Sequence, residues 1–134
     1  MVTRVLCVDE NATSRRLLSL MLERLGHRAT VVGGEREALA ELKKQRFDLI
    51  TIDMGVPMDY DGIEAYRQIK STLLAQNQST PIVAITACAM FGDREQCLRL
   101  GMDDYLSKPF TSRALKTLLE RWLETDRQPH RRAG

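Results

Sequence analysis

A doubly wound α/β fold on a five-stranded parallel sheet is what this sequence predicts, and three observations predict it. Short apolar runs rich in β-branched residues alternate with amphipathic segments, strand then helix, five times along the chain. The runs are apolar at consecutive positions rather than at every second one, as strands covered on both faces are. The chain has 134 residues, 43% hydrophobic and 28% charged, which suits one compact domain with a real core rather than two domains.

The first strand is expected at Val5 to Val8. Its helix carries Leu17, Leu18, Met21, Leu22 and Leu25 at helical spacing and stops at Gly26, a residue suited to the C′ position. A second strand, Ala29 to Val32, is followed by Gly33-Gly34 and a helix marked by Ala38, Leu39 and Leu42. The third strand, Leu49 to Ile52, precedes a helix with Ile63, Tyr66 and Ile69. Ile82 to Ile85 is the fourth, and its helix, with Cys97, Leu98 and Leu100, closes at Gly101. The fifth strand, Asp104 to Leu106, is the weakest signal. Leu115, Leu118, Leu119 and Trp122 form the inner stripe of the last helix, capped by Thr111. Strict alternation of this kind implies right-handed crossovers and helices on both faces of the sheet. Residues 1–124 are expected to form the domain, and residues 125–134, with Arg127, His130, Arg131 and Arg132, a flexible basic tail or linker.

Composition narrows the functions. The net charge is +2, from 20 basic and 18 acidic residues, so no global field draws the chain to nucleic acid or membrane. No apolar stretch approaches a bilayer span, and MVTRVLCVDE lacks a signal-peptide core, so a soluble, cytoplasmic domain is expected. Cys7, Cys88 and Cys97 lack metal-ligand spacing and are expected as reduced packing residues. His27 and His130 have no Cys or carboxylate at ligand spacing and are expected neither to bind metal nor to carry phosphate.

In open α/β sheets the functional crevice lies beyond the carboxyl ends of the strands, near a topological switch point. The first strand ends in Asp9-Glu10, the third in Asp53, the fourth in Thr86, and the fifth leads to Lys108. Singly, each has an ordinary structural explanation: a loop start, a turn cap, a helix N-cap, a solvated lysine. Their joint placement at one edge points instead to an acidic pocket. Carboxylates converging within roughly 4 Å repel by about 4 kcal/mol per pair at an effective dielectric of about 20, a penalty that a divalent cation removes. The candidate ligands are all hard oxygens, which selects Mg²⁺ or Mn²⁺ over Zn²⁺, and a sparse carboxylate set suits Mg²⁺. Metal, carboxylate, hydroxyl and ammonium together suit phosphoryl transfer to an acid, with Asp53 attacking while Thr86 and Lys108 hold the transferring group.

VLCVDEN at 5 to 11, LITIDMGVP at 49 to 57, AITA at 84 to 87 and DDYLSKPF at 103 to 110 resemble, in order and spacing, the signature blocks of response-regulator receiver domains. The resemblance covers residues 4 to about 124 and implies a flavodoxin-like strand order 2-1-3-4-5. It implies Asp53 as phosphoacceptor, Glu10 and Asp53 as direct Mg²⁺ ligands with the Gly55 carbonyl, and Asp9 acting mainly through water. Thr86 and Lys108 would contact the phosphoryl group, Pro109 would follow a cis peptide, and Tyr105 would be the rotating aromatic of the output face. That face is the fourth helix, fifth strand and fifth helix, through which a homodimer could also form. Implied partners are a histidine kinase or histidine phosphotransfer protein as donor, and a downstream protein effector or further domains of a parent chain. The wording of VDEN and GMDDYLSKPF is similar to receivers attached to hybrid sensor kinases, so the segment could belong to a phosphotransferase without being an enzyme by itself.

Two departures stand out. Gly62 lies nine residues after Asp53, one more than is usual in the family, which implies an insertion in the loop beside the site. Glu10 stands where Asp is commoner. The loop leaves open a pseudo-receiver, a protein-interaction module with little phosphorylation, although the retained Asp53, Thr86 and Lys108 argue against it. A haloacid-dehalogenase-like phosphatase is disfavoured because Met54-Gly55 follows Asp53 where that family repeats an Asp.

Overall fold

A computed structural model describes residues 3–54, 60–73, 77–86 and 93–123, the side chains of residues 60, 61, 93 and 94 excepted. The elements run β1 (Arg4–Val8), α1 (Ala12–Arg24), β2 (Arg28–Val32), α2 (Glu35–Lys44), β3 (Leu49–Asp53), α3 (Tyr60–Ser71), β4 (Ile82–Thr86), α4 (Asp93–Leu100), β5 (Asp104–Ser107) and α5 (Ser112–Leu123). All strand pairs are parallel, in the order β2-β1-β3-β4-β5. The expected strands are present, each extended by one residue at one end.

The unbroken apolar runs are explained by two cores, one on each face of the sheet. Successive strand side chains point to opposite faces. Leu6, Ile50, Ile52, Ile82 and Ala84 therefore share one core with Ala38 and Leu42 of α2, Tyr66 and Ile69 of α3, and Cys97 of α4. Val5, Cys7, Leu49, Val83 and Ile85 share the other with Leu18 and Leu22 of α1 and Leu115, Leu118 and Leu119 of α5. Each of the buried Val, Leu and Ile side chains contributes about 1.5–3 kcal/mol of transfer free energy.

Helix ends follow the punctuation in the sequence. Gly26 and Gly101 take φ values of +94° and +107°, left-handed conformations that strain any residue with a Cβ, and they end α1 and α4. At α5 the Thr111 hydroxyl accepts from the Ala114 N–H at 3.0 Å, the N-cap expected there. Asn11 caps α1 by accepting from the Ser14 N–H at 2.8 Å.

The N-terminal edge of the sheet is closed by Asn77, which is fully buried. Its amide accepts from the Phe47 N–H at 2.8 Å and donates to the Leu42 and Gln45 carbonyls at 3.1 and 3.0 Å. Thr80 adds hydrogen bonds to the Phe47 carbonyl and to Asn77. The loop before β4 is thereby fastened to the loop before β3. On β5, Asp104 accepts from Trp122 Nε1 at 2.8 Å and from Arg121, tying the end of α5 to the strand.

Candidate functional site

Strand register delivers the polar residues to one place. Val8 pairs with Ile52 across β1 and β3, so Asp9 and Asp53, next in each chain, emerge side by side. This is the point where the strand order reverses, since β1 connects outward to β2 on one side and has β3 on the other. Asp53 pairs with Ile85, and Thr86 follows it. Thr86 in turn pairs with Ser107, which puts Lys108 at the same edge. A cavity of about 480 Å³ opens there, lined by Asp9, Glu10, Ser14, Asp53, Gly62 and Lys108 among others.

Lys108 organises the charges. Its ammonium lies 2.6 Å from Asp53 Oδ2 and 3.4 Å from both Asp9 Oδ2 and Ser14 Oγ. Burial alone would lower the Lys108 ammonium, but the hydrogen bonds and charges of Asp53 and Asp9 outweigh it and raise it above the ordinary lysine value. The Asp9 carboxyl is raised, chiefly by burial. The Asn11 N–H at 2.9 Å and Lys108 oppose that shift, while the neighbouring Asp53 charge adds to it. Two carboxylates are thus held together, one of them against its preference for a proton.

The donor set accommodates a hard cation. Among the described residues no three His, Cys, Asp or Glu side chains form a ready-made metal cage. Asp9 and Asp53 make a close pair, and the exposed Glu10 lines the same cavity. Crowded carboxylate oxygens, with no His or Cys among the described residues that line the cavity, suit an ion that keeps several of its waters, as Mg²⁺ does. Gly55, the implied carbonyl ligand, lies outside the described residues, as do Cys88 and His130.

The remaining predicted residues are distributed as follows. Thr86 is fully buried as the last residue of β4. The Lys108–Pro109 peptide is cis. Tyr105 is half-buried on β5, packed at the margin of the core beneath α2, α3 and α4. Cys7 and Cys97 are buried, and burial pushes the Cys7 thiol up to about 12, which leaves that thiol unreactive. His27 hydrogen-bonds Thr3 and stands away from the cavity. Gly62 shows what the displaced glycine does: a Cβ there would lie 2.7 Å from the Met54 carbonyl oxygen and 2.8 Å from its Cα. The first turn of α3 therefore rests directly on the chain just after Asp53.

Two site residues had no reading in the sequence. Ser14 touches Lys108, and Arg15 Nη1 donates to the Asp9 carbonyl at 2.8 Å, holding the end of β1 in place. Gly33 makes room for that guanidinium, since a Cβ would sit 3.2 Å from Arg15 Nη1. The available signal was Asn11 as an N-cap, which places Ser14 and Arg15 on the first turn of α1, over the acidic corner.

Comparisons with known proteins bear on the family and the fold. The family model for the response regulator receiver domain matches residues 5–120. Over 120 residues the chain is 38% identical to the sensor protein GacS of Pseudomonas syringae pv. syringae, covering 89% of this chain and 13% of that longer protein. The receiver domain of the sensor histidine kinase PA1611 from Pseudomonas aeruginosa, solved with a magnesium ion in its active site cleft, superposes with a TM-score of 0.75 at 36% identity, over 91% of this chain and 98% of that one. The receiver domain of Ssk1 from Saccharomyces cerevisiae, solved in complex with the histidine phosphotransfer protein Ypd1, gives a TM-score of 0.75 at 26% identity, over 93% and 91%.

Proposed function

This chain belongs to the response regulator receiver domain family of two-component signal transduction, and from that premise we propose that Asp53 accepts a phosphoryl group from a phosphohistidine donor in the presence of Mg²⁺. The observation that carries the reading is Asp53 at the switch point, 2.6 Å from the Lys108 ammonium and beside the buried Asp9. An Asp53 oxygen forms the new O–P bond as the donor's P–N bond breaks, and the electron pair of that bond returns to the imidazole. Lys108 shifts from Asp53 to the phosphoryl oxygens, where its charge is needed as theirs develops. Asp9, Glu10, Asp53 and the Gly55 carbonyl would hold Mg²⁺, which neutralises phosphoryl charge when bound.

The donor would dock beside the cavity. Leu17, Leu18, Ile85, Pro109 and Phe110 line an apolar groove of about 380 Å³ that shares Asp9, Ser14 and Lys108 with the acidic site. Leu17 is 57% exposed, and with the rest of the groove it offers a contiguous apolar surface rather than a lone side chain. The Ssk1 receiver is known in complex with a histidine phosphotransfer protein, and a donor of that kind, or a histidine kinase, fits here. No described helix is long and apolar enough to cross a membrane. We place the domain in the cytoplasm, where such donors obtain phosphate from ATP.

Output would run through Thr86 and Tyr105. The new oxygens would draw the Thr86 hydroxyl toward Asp53, Tyr105 would turn into the space vacated, and the α4-β5-α5 surface would change its affinity for an effector, a further domain or a second copy. A phosphoryl group brings about 1.5 to 2 negative charges and three acceptors, enough to bias two packings separated by a few kcal/mol.

Incubation with acetyl phosphate and Mg²⁺ tests the reading. One phosphoryl group, acid-stable and base-labile, is expected on the wild type and none on Asp53→Asn. Modification that persists in Asp53→Asn, or an unmodified wild type, would overturn it. Thr86→Ala should still accept phosphate while amide shifts around Tyr105 and Cys97 are lost; a full distant response would remove Thr86 as transmitter.

A further inference from the structure

An ammonium has three N–H donors, and Lys108 has a partner for each of them. Two are carboxylates, Asp53 at 2.6 Å and Asp9 at 3.4 Å, and the third is the neutral Ser14 hydroxyl at 3.4 Å. Ser14 sits on the first turn of α1, its backbone fixed by the Asn11 cap at 2.8 Å. It lines both the acidic cavity and the apolar groove beside it, at the mouth through which a donor would enter.

Phosphoryl transfer makes demands on the two carboxylates that it does not make on Ser14. A metal ion and Lys108 compete for Asp9 and Asp53, and Asp53 must free an oxygen to attack. We propose that Ser14 is a positioning residue for Lys108: its hydroxyl keeps one N–H engaged while the ammonium is drawn off Asp53 onto the incoming group. The long contact suits this role, because closing it to an ordinary hydrogen-bond length needs a movement of only about 0.4–0.5 Å. Without the hydroxyl, the ammonium settles on the carboxylates alone, holding Asp53 more tightly and competing harder with the cation. The inference rests on Asp53 being the acceptor.

A pair of variants matched in shape isolates the hydroxyl. Ser14→Thr keeps it and Ser14→Val replaces it with a methyl group, while both carry the same β-branching on α1. Acetyl phosphate is the probe: an Asp53 oxygen forms the O–P bond as the acyl O–P bond breaks, its electron pair leaving on acetate. Initial rates are followed by intact mass across a Mg²⁺ titration, with thermal melts confirming that both variants fold. Ser14→Thr should match the wild type. Ser14→Val should be about fivefold slower at limiting Mg²⁺, the rate equivalent of one ordinary hydrogen bond, and should need more Mg²⁺ for half its maximal rate. Should either branched variant melt early, Ser14→Ala, a better helix former, takes the place of Val against the wild type. Equal rates and equal Mg²⁺ dependence with and without the hydroxyl would overturn this proposal and leave the acceptor reading standing. A wild type that takes no phosphate would overturn both.

Discussion

At the N-terminal edge of the sheet, Asn77 closes its hydrogen bonds on the backbone of Phe47, Leu42 and Gln45, whereas at the C-terminal edge Asp9 and Asp53 lean on the side chain of Lys108. The same strands build both edges. In one, buried polarity meets partners fixed by the fold, so nothing entering from solvent could improve it. In the other, charges are held together with the Asp9 carboxyl raised, and a cation or phosphoryl group arriving there would change the balance. At Asn77 buried polarity thus serves stability through backbone partners, whereas at Asp9 and Asp53 it leaves charges that a ligand would rebalance.

The sharpest test of this contrast is Asn77→Ala. It strips partners from a buried N–H and two carbonyls, and should cost about 3–4 kcal/mol in urea denaturation while leaving Mg²⁺ affinity unchanged. A loss of metal binding in the folded variant would show that the two edges are coupled. Next is Gly62→Ala, whose Cβ would press on the Met54 backbone beside Asp53. It should cost about 2 kcal/mol by overpacking and also slow phosphate acceptance, so it damages both properties at once.

Asp9→Asn should act in the opposite sense. The raised Asp9 carboxyl holds its proton more tightly folded than unfolded, so ionisation costs stability: the cost is absent below the ordinary value of 3.8 and grows as pH rises through the folded titration. Metal-free Asp9→Asn should therefore be more stable than the wild type at pH 7 by about 1 kcal/mol, a part of the repulsion expected for a carboxylate pair. Its stability should fall less between pH 4 and 7, read from thermal melts in a chelator, and added Mg²⁺ should stabilise the wild type more. The smallest effect belongs to Arg46→Ala. Its 2.7 Å pair with Asp48 is solvent-exposed on the arginine side, and removing it should cost less than about 0.5 kcal/mol. A larger loss would mean that the N-terminal edge also depends on its surface charges.

What could be read without coordinates was whatever depends on residue type and local order. Period and punctuation located the strands and helices, because apolar runs, Gly26, Gly101 and Thr111 act on their own neighbours. Asp9, Asp53, Thr86 and Lys108 were recognisable because each ends or directly follows a strand and all strands point the same way. Local order did not disclose that Lys108 rests on Asp53, that Ser14 completes its partners, or that Arg15 and Gly33 brace Asp9. Nor did it disclose Asn77, an ordinary loop residue until two loops thirty positions apart close around it. Those facts depend on how closely elements far apart in the sequence approach one another. Strand register and the packing of α1 and α3 set such distances, and no pattern within a single segment encodes them.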